Sequence, residues 1–172
     1  MRARLALVLL AAAALAGCAS HRTRNAPAPP EVVSPADAPP AATQPHGAQI
    51  AGYAAALVGT PYRFGGTDGE GFDCSGLAVY VYGLAGIAIP RTAAEQQRAA
   101  FVIPTASLQP GDLVFFRIQS RHHVDHVGIY SGAGKFIHAP RPGQPVAMAA
   151  LDAGYFAQHL AGAGRFVPAL SR

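Results

Sequence analysis

At 172 residues, with 51% hydrophobic and 13% charged side chains, the chain has room for one ordinary folded domain plus flanking sequence. Its formal charge of +4 falls to +2 once Arg2 and Arg4 are set aside, and no Lys/Arg cluster makes a nucleic-acid footprint, so nucleic acid is not an expected partner. The two cysteines stand far apart, at 18 and 74, in settings that give them different jobs, which leaves no intramolecular disulfide.

The N-terminus reads as an export signal. Arg2 and Arg4 form a basic region, Leu5 to Ala14 a short apolar run, and Leu15-Ala16-Gly17-Cys18 a bacterial lipobox. The run is too short to span a bilayer as a helix. Residues 1–17 are therefore expected to be a lipoprotein signal peptide, with Cys18 the lipidated residue; a plain secretory signal is the simpler alternative. Ala19 after the lipobox points, as in bacterial lipoproteins generally, to the periplasmic face of the outer membrane of a Gram-negative cell. Membrane contact would then run through the lipid. Residues 18–46 read as the lipidated Cys followed by a linker, with seven prolines between 19 and 46 and few large apolar side chains. Such a stretch cannot bury enough surface to fold and leans towards extended polyproline II.

Residues 47–172 form the folded unit. Ala48 to Val58 has helical periodicity and stops at Gly59. Gly71-Phe72-Asp73 precedes the apolar run Leu77 to Leu84, so Asp73 caps a buried helix and Cys74 falls in its first turn. Peptide dipoles there favour a negative charge, and the expectation is a lowered thiol pKa with an imidazolium nearby. Thr92 and Glu95 make a capping box. Strands are expected at 113–117, 126–130, 135–139, 146–148 and 165–167, with a short helix near 152–158. Helices grouped ahead of an antiparallel sheet indicate an α+β fold.

Ser131-Gly132-Ala133-Gly134 is a strong turn signal. A hairpin centred on residue 132 sets His126 directly opposite His138, on one face. Val127, Ile129 and Ile137 take the other, apolar face of a half-buried hairpin. Cysteine, histidine and histidine then read as nucleophile, base and orienter. A free thiol in an oxidising compartment is a liability unless it does chemistry. The cluster His122, His123, Asp125 and His126 fits no metal-ligand spacing and reads as a solvated loop; no metal or cofactor is expected. Asp112, after Gly111, reads as a turn residue.

Six segments resemble the NlpC/P60 family of papain-like cell-wall cysteine peptidases, and its single-domain lipoprotein branch in particular. They are Gly59-Thr60-Pro61-Tyr62-Arg63-Phe64-Gly65-Gly66, Phe72-Asp73-Cys74-Ser75-Gly76-Leu77, Pro90-Arg91-Thr92-Ala93-Ala94-Glu95-Gln96, Pro110-Gly111-Asp112-Leu113-Val114-Phe115-Phe116, His126-Val127-Gly128-Ile129-Tyr130 and Phe136-Ile137-His138-Ala139. They occur in the family's order; one departure is Phe64, where many relatives carry Trp, and another is the inserted-looking, histidine-rich stretch Gln119 to Asp125. The resemblance implies a papain-like NlpC/P60 fold with helices packed on an antiparallel sheet, and Cys74, His126 and His138 as catalytic residues. It implies Tyr62 as an oxyanion or substrate-binding hydroxyl, although an aromatic wall is its plainer role. Asp73 and Ser75 are implied to contact substrate, with helix capping equally open to Asp73. Arg91 either supports the site or stacks on substrate, a surface ion pair being the bland option.

The implied substrate is peptidoglycan. Scissile bonds in the family join D-Ala to diaminopimelate in crosslinks, favoured for this branch, or D-Glu to diaminopimelate in stems. A papain-like amidase or acyltransferase and a non-catalytic wall-binding lipoprotein are the competing readings, and any protein regulators are unknown.

Overall fold

The computed structural model describes residues 46–166. The expected signal peptide, Cys18, almost all of the expected linker and the Val167 end of the last expected strand lie outside them.

Three helices precede the main sheet: α1 (His46–Ala56), α2 (Cys74–Leu84) and α3 (Ala93–Ala99). A two-stranded ribbon, β1 (Thr67–Asp68) and β2 (Gly71–Phe72), leads into α2. Then come β3 (Phe101–Ile103), β4 (Leu113–Phe116), β5 (His126–Gly132), β6 (Lys135–His138), β7 (Ala147–Ala150), α4 (Gly154–His159) and β8 (Leu160–Arg165). The six longer strands form one antiparallel sheet in the order β3-β8-β4-β5-β6-β7. The fold is α+β, as the grouping of helices and strands implies.

Alternation along β4 to β6 sends side chains to two different cores. Leu113, Phe115, Val127, Ile129 and Ile137 pack with Ile50, Ala54, Leu77 and Val81 from α1 and α2. Val114, Phe116 and Phe136 pack on the opposite side with Leu151 and Phe156. His126 to Ile129 of β5 and Phe136 to His138 of β6 are buried without alternation, as is all of β4, so the expectation of a half-buried hairpin is corrected: the sheet is covered on both faces. The reason lies in Val114, Phe116 and Phe136, which make the second face apolar too, as in strands with no solvent side.

The expected strand at 165–167 is replaced by β8, which begins at Leu160. Its Leu-Ala-Gly-Ala-Gly sequence is poor strand material, and it is held between β3 and β4. Arg165 then locks it in place: Nε and Nη2 reach the Asp112 carboxylate at 2.6 and 2.8 Å. Asp112 also accepts the Gln109 N–H at 2.7 Å, closing the turn ahead of β4.

The β5–β6 hairpin departs from the expected register. Its loop is Ala133-Gly134, with Gly132 opposite Lys135, and both loop residues have positive φ, 50° and 67°. That is the signature of a type I′ turn, whose twist matches the flanking strands. A bulge between Tyr130 and Gly132 then shifts the pairing to Tyr130↔Phe136 and Ile129↔Ile137. Continuing this register puts His138 opposite Gly128, two positions from the direct His126–His138 pairing expected from the sequence. A two-residue slip preserves facing, so both histidines still project from one side.

Candidate active site

Cys74 is placed by its helix cap. Asp73 is extended (φ −89°, ψ 176°) and its carboxylate accepts the Gly76 N–H at 2.7 Å and the Gly65 N–H at 3.0 Å. Gly76 allows this close approach, because a Cβ there would run into the Gly66 carbonyl oxygen. The first turn of α2 is thus pinned against the Gly65-Gly66 loop, and Cys74 sits half-buried at the helix start.

The two histidines meet on the far side. His126 Nε2 and His138 Nδ1 lie 2.8 Å apart, and their rings are perpendicular with centroids 5.0 Å apart. Gly128, on the same face between them, leaves the diagonal open; a side chain there would strike the Phe136 ring. Phe136 and Phe156 flank His138 at centroid distances of 4.9 and 5.1 Å, and Phe116 lies 6.0 Å from His126. Phe116 and Phe136 lie within the family-like segments and Phe156 outside them, but none of the three reads as a site residue in the sequence, because their contribution is a wall.

With Nε2 committed to His138, Nδ1 of His126 is the nitrogen left to face outward. The thiol lies against the start of β5, where the Val127 N–H points towards it. Among the described residues no hydrogen bond joins Cys74 to His126. Thiol–base contacts of this kind are often loose before substrate arrives.

The electrostatics correct the expected lowered thiol. Burial pushes Cys74 up to about 11, and the Asp73 carboxylate adds to the shift against the N–H groups of Val127, Ser75 and Cys74 itself. Burial also pulls His126 down to about 4, with Asp125 opposing, and burial together with His126 pulls His138 down to about 3. At Cys74 desolvation outweighs the helix dipole. The resting site therefore holds a neutral thiol beside neutral imidazoles.

The remaining expected residues gather around Asp73. Arg91 grips its carboxylate with two bonds, Nη2–Oδ2 at 2.6 Å and Nη1–Oδ1 at 3.0 Å, and donates to Ser75 Oγ at 2.9 Å. Burial favours the neutral acid at Asp73, but the Arg91 and backbone hydrogen bonds outweigh it and hold the carboxyl below its ordinary value. Asp73 is thus a helix cap and an ion-pair partner, and its lone pairs are largely spent. Gln96, missed in the sequence, is fully buried and donates Nε2 to the Ser75 and Pro90 carbonyls at 3.2 and 2.8 Å. It ties the Arg91 loop to the first turn of α2. The capping box of Thr92 and Glu95 starts the helix that carries it.

Tyr62 bridges to Phe72 and packs on the helix-side core. Its hydroxyl is raised above the ordinary value by burial first, then by the neighbouring Cys74 and Asp73, so it lies beside both. The loop before His126 is ordered by Asp125, whose carboxylate accepts the N–H groups of Ile118, Gln119 and Ser120 at 2.7, 2.7 and 2.6 Å. Ser120 Oγ lies 2.8 Å from His123 Nδ1.

The sequence model of the family described as NlpC/P60 matches residues 59–165, which includes every residue of this site. The chain belongs to the NlpC/P60 family. It is 50% identical over 112 residues to the murein DD-endopeptidase MepH of Escherichia coli K12, covering 63% of this chain and 41% of that protein. It is 40% identical over 113 residues to a gamma-D-glutamyl-L-lysine dipeptidyl-peptidase of Bacillus cereus, covering 65% of this chain and 34% of that protein. The crystal structure of a Bacillus cereus NlpC/P60 protein superposes with a TM-score of 0.67 at 36% identity, covering 71% of this chain and 40% of the other. The chain thus spans 34% to 41% of the length of these relatives.

Proposed function

We propose that this NlpC/P60 domain is a cysteine endopeptidase of peptidoglycan peptides. The observation that carries it is the His126–His138 contact of 2.8 Å inside an aromatic box, at the strand end that abuts a half-buried thiol. His126 takes the Cys74 proton as sulfur attacks an amide carbonyl, and the tetrahedral oxyanion is held by the free Cys74 N–H with Tyr62 beside it. His126 then protonates the leaving amine, and water hydrolyses the thioester. Because thiol and imidazole rest neutral, proton transfer accompanies attack rather than preceding it. His138 orients His126 and does not exchange protons with substrate.

D-Ala–diaminopimelate crosslinks are the favoured substrate and D-Glu–diaminopimelate bonds the second. MepH's name supports the first, and the name of the Bacillus cereus relative, which specifies a gamma-D-glutamyl bond, supports the second. The lipobox at Cys18 supports a lipid-anchored protein on the periplasmic face of the outer membrane. Mass spectrometry of products from defined crosslinked and uncrosslinked muropeptides tests the reading. Crosslinked dimers converted to monomers by wild type and not by Cys74→Ala uphold it. Shortened stems transfer the assignment to the D-Glu–diaminopimelate bond, and no thiol-dependent cleavage of either overturns it.

A further inference from the structure

Two cavities adjoin on the far side of the histidine pair. One, of about 480 Å³, is bounded by His138, Arg141, Tyr155 and Phe156. The other, of about 410 Å³, is bounded by Arg117, Arg121, His159 and Gln158. Both are also lined by Ile118 and Gln119, so they meet along one stretch of the loop that Asp125 orders. Each is of the size that holds a small ligand.

Their charge is one-sided. Arg63, Arg91 and Arg165 each pair with a carboxylate, whereas Arg117, Arg121 and Arg141 pair with none among the described residues. Arg98, on α3, lines neither cavity. Among the described residues no Asp or Glu lines either cavity, and the nearby Asp125 spends its oxygens on three backbone N–H groups. Three exposed guanidiniums, unpaired among the described residues, ring these cavities and form a site for anions, and planar guanidiniums match carboxylates in particular.

The direction of the reaction says which anion reaches them. The acyl half of the cleaved peptide ends on Cys74, at the α2 side with Tyr62 and Asp73. His126 hands its proton to the leaving amine, and its ring lies 5.0 Å, centroid to centroid, from that of His138. The cavity begins at His138. We propose that these adjoining cavities form a subsite for the leaving half of the cleaved peptide, in which Arg117, Arg121 and Arg141 read its free carboxylates. The inference rests on the endopeptidase reading and deepens it. A crosslink's leaving diaminopimelate amine stands on a carbon that bears a free carboxylate; a stem bond's leaving amine stands on one whose carboxyl is tied up in the next amide. An arginine-lined leaving side favours the crosslink.

The test compares two crosslinked peptide dimers, one with free carboxylates on the leaving stem and one with those carboxylates converted to amides. The full chain should show a KM about tenfold lower for the free acid, and Arg117→Gln, Arg121→Gln and Arg141→Gln combined should bring the ratio close to one. Equal KM values in wild type, or a ratio untouched by the triple variant, overturn the subsite. Calorimetry with the Cys74→Ala chain and the free leaving-half peptide reads the site without turnover. Binding lost in the triple variant upholds it even if neither dimer is cleaved, and binding unaffected by the arginines, or absent, overturns it. Binding of inorganic phosphate as tight as that of the peptide carboxylates marks a general anion patch and overturns it as well.

Discussion

On the proposed mechanism, removing the Cys74 sulfur takes away the bond-forming atom, so Cys74→Ala should leave no cleavage above background. His126→Ala removes an acid–base group generally worth about 10²–10⁴-fold in kcat. His138 acts only through His126, so His138→Ala should cost less than either; an equal loss with the fold intact contradicts its role as orienter. The protonation states give a sharper expectation. With the thiol at about 11 and His126 at about 4, kcat/KM should fall as pH drops through about 4, where the base is charged. The rate of Cys74 alkylation should keep climbing with pH towards about 11. Alkylation that levels off near neutrality means a preformed thiolate and refutes the neutral pair.

Elements set the site's precision. The β5–β6 turn carries Ala133 at φ 50°, a conformation costly for a residue with a Cβ. Asn suits that position of a type I′ turn, and Ala133→Asn should add on the order of 0.5–1 kcal/mol in denaturant unfolding with activity unchanged. Gly128→Ala works in the opposite sense. Its methyl meets the Phe136 ring that walls His138, so about 1–3 kcal/mol of stability should be lost together with most turnover. Asp125 joins the loop to the base. Its carboxylate supports the charged form of His126, so Asp125→Asn should move the acid limb of the pH profile to lower pH while loosening residues 118–120 to amide exchange.

Across the whole molecule, burying two imidazoles neutral links folding to protons. Both folded-state values are depressed below the unfolded value near 6.5, so the unfolded chain binds more protons on the acid side. Their contribution to stability is full above about 6.5 and is lost as pH falls towards about 4 for His126 and about 3 for His138. Thermal unfolding of His138→Phe should show a shallower decline over that window; an identical decline contradicts the assignment.

What could be read in the sequence follows from range. The cap at Asp73, the capping box at Thr92 and the common face of His126 and His138 depend on neighbours within a few residues or on strand parity, which survives a register slip. The bulge near Ser131 left no local mark, so the direct pairing of the histidines was misplaced by two residues. The thiol's pKa was misjudged because the helix start is visible in sequence and the burial that outweighs it is not. Gln96 and the small-residue strand β8 escaped for the same reason: one binds carbonyls from two separate segments, and the other is held by its neighbours more than by its own propensity. β3, with Phe101 and Val102 exposed, showed no burial pattern to find.

The central claim is that Cys74 becomes acylated by a peptidoglycan peptide. Rapid acid quenching of the enzyme with a crosslinked muropeptide, followed by intact-protein mass spectrometry and peptide mapping, tests it most directly. The account predicts a mass increase equal to the acyl half of the cleaved peptide, confined to the peptide that contains Cys74 and absent from Cys74→Ala. Cleavage that proceeds in Cys74→Ala, or an adduct mapped to another residue, would contradict it.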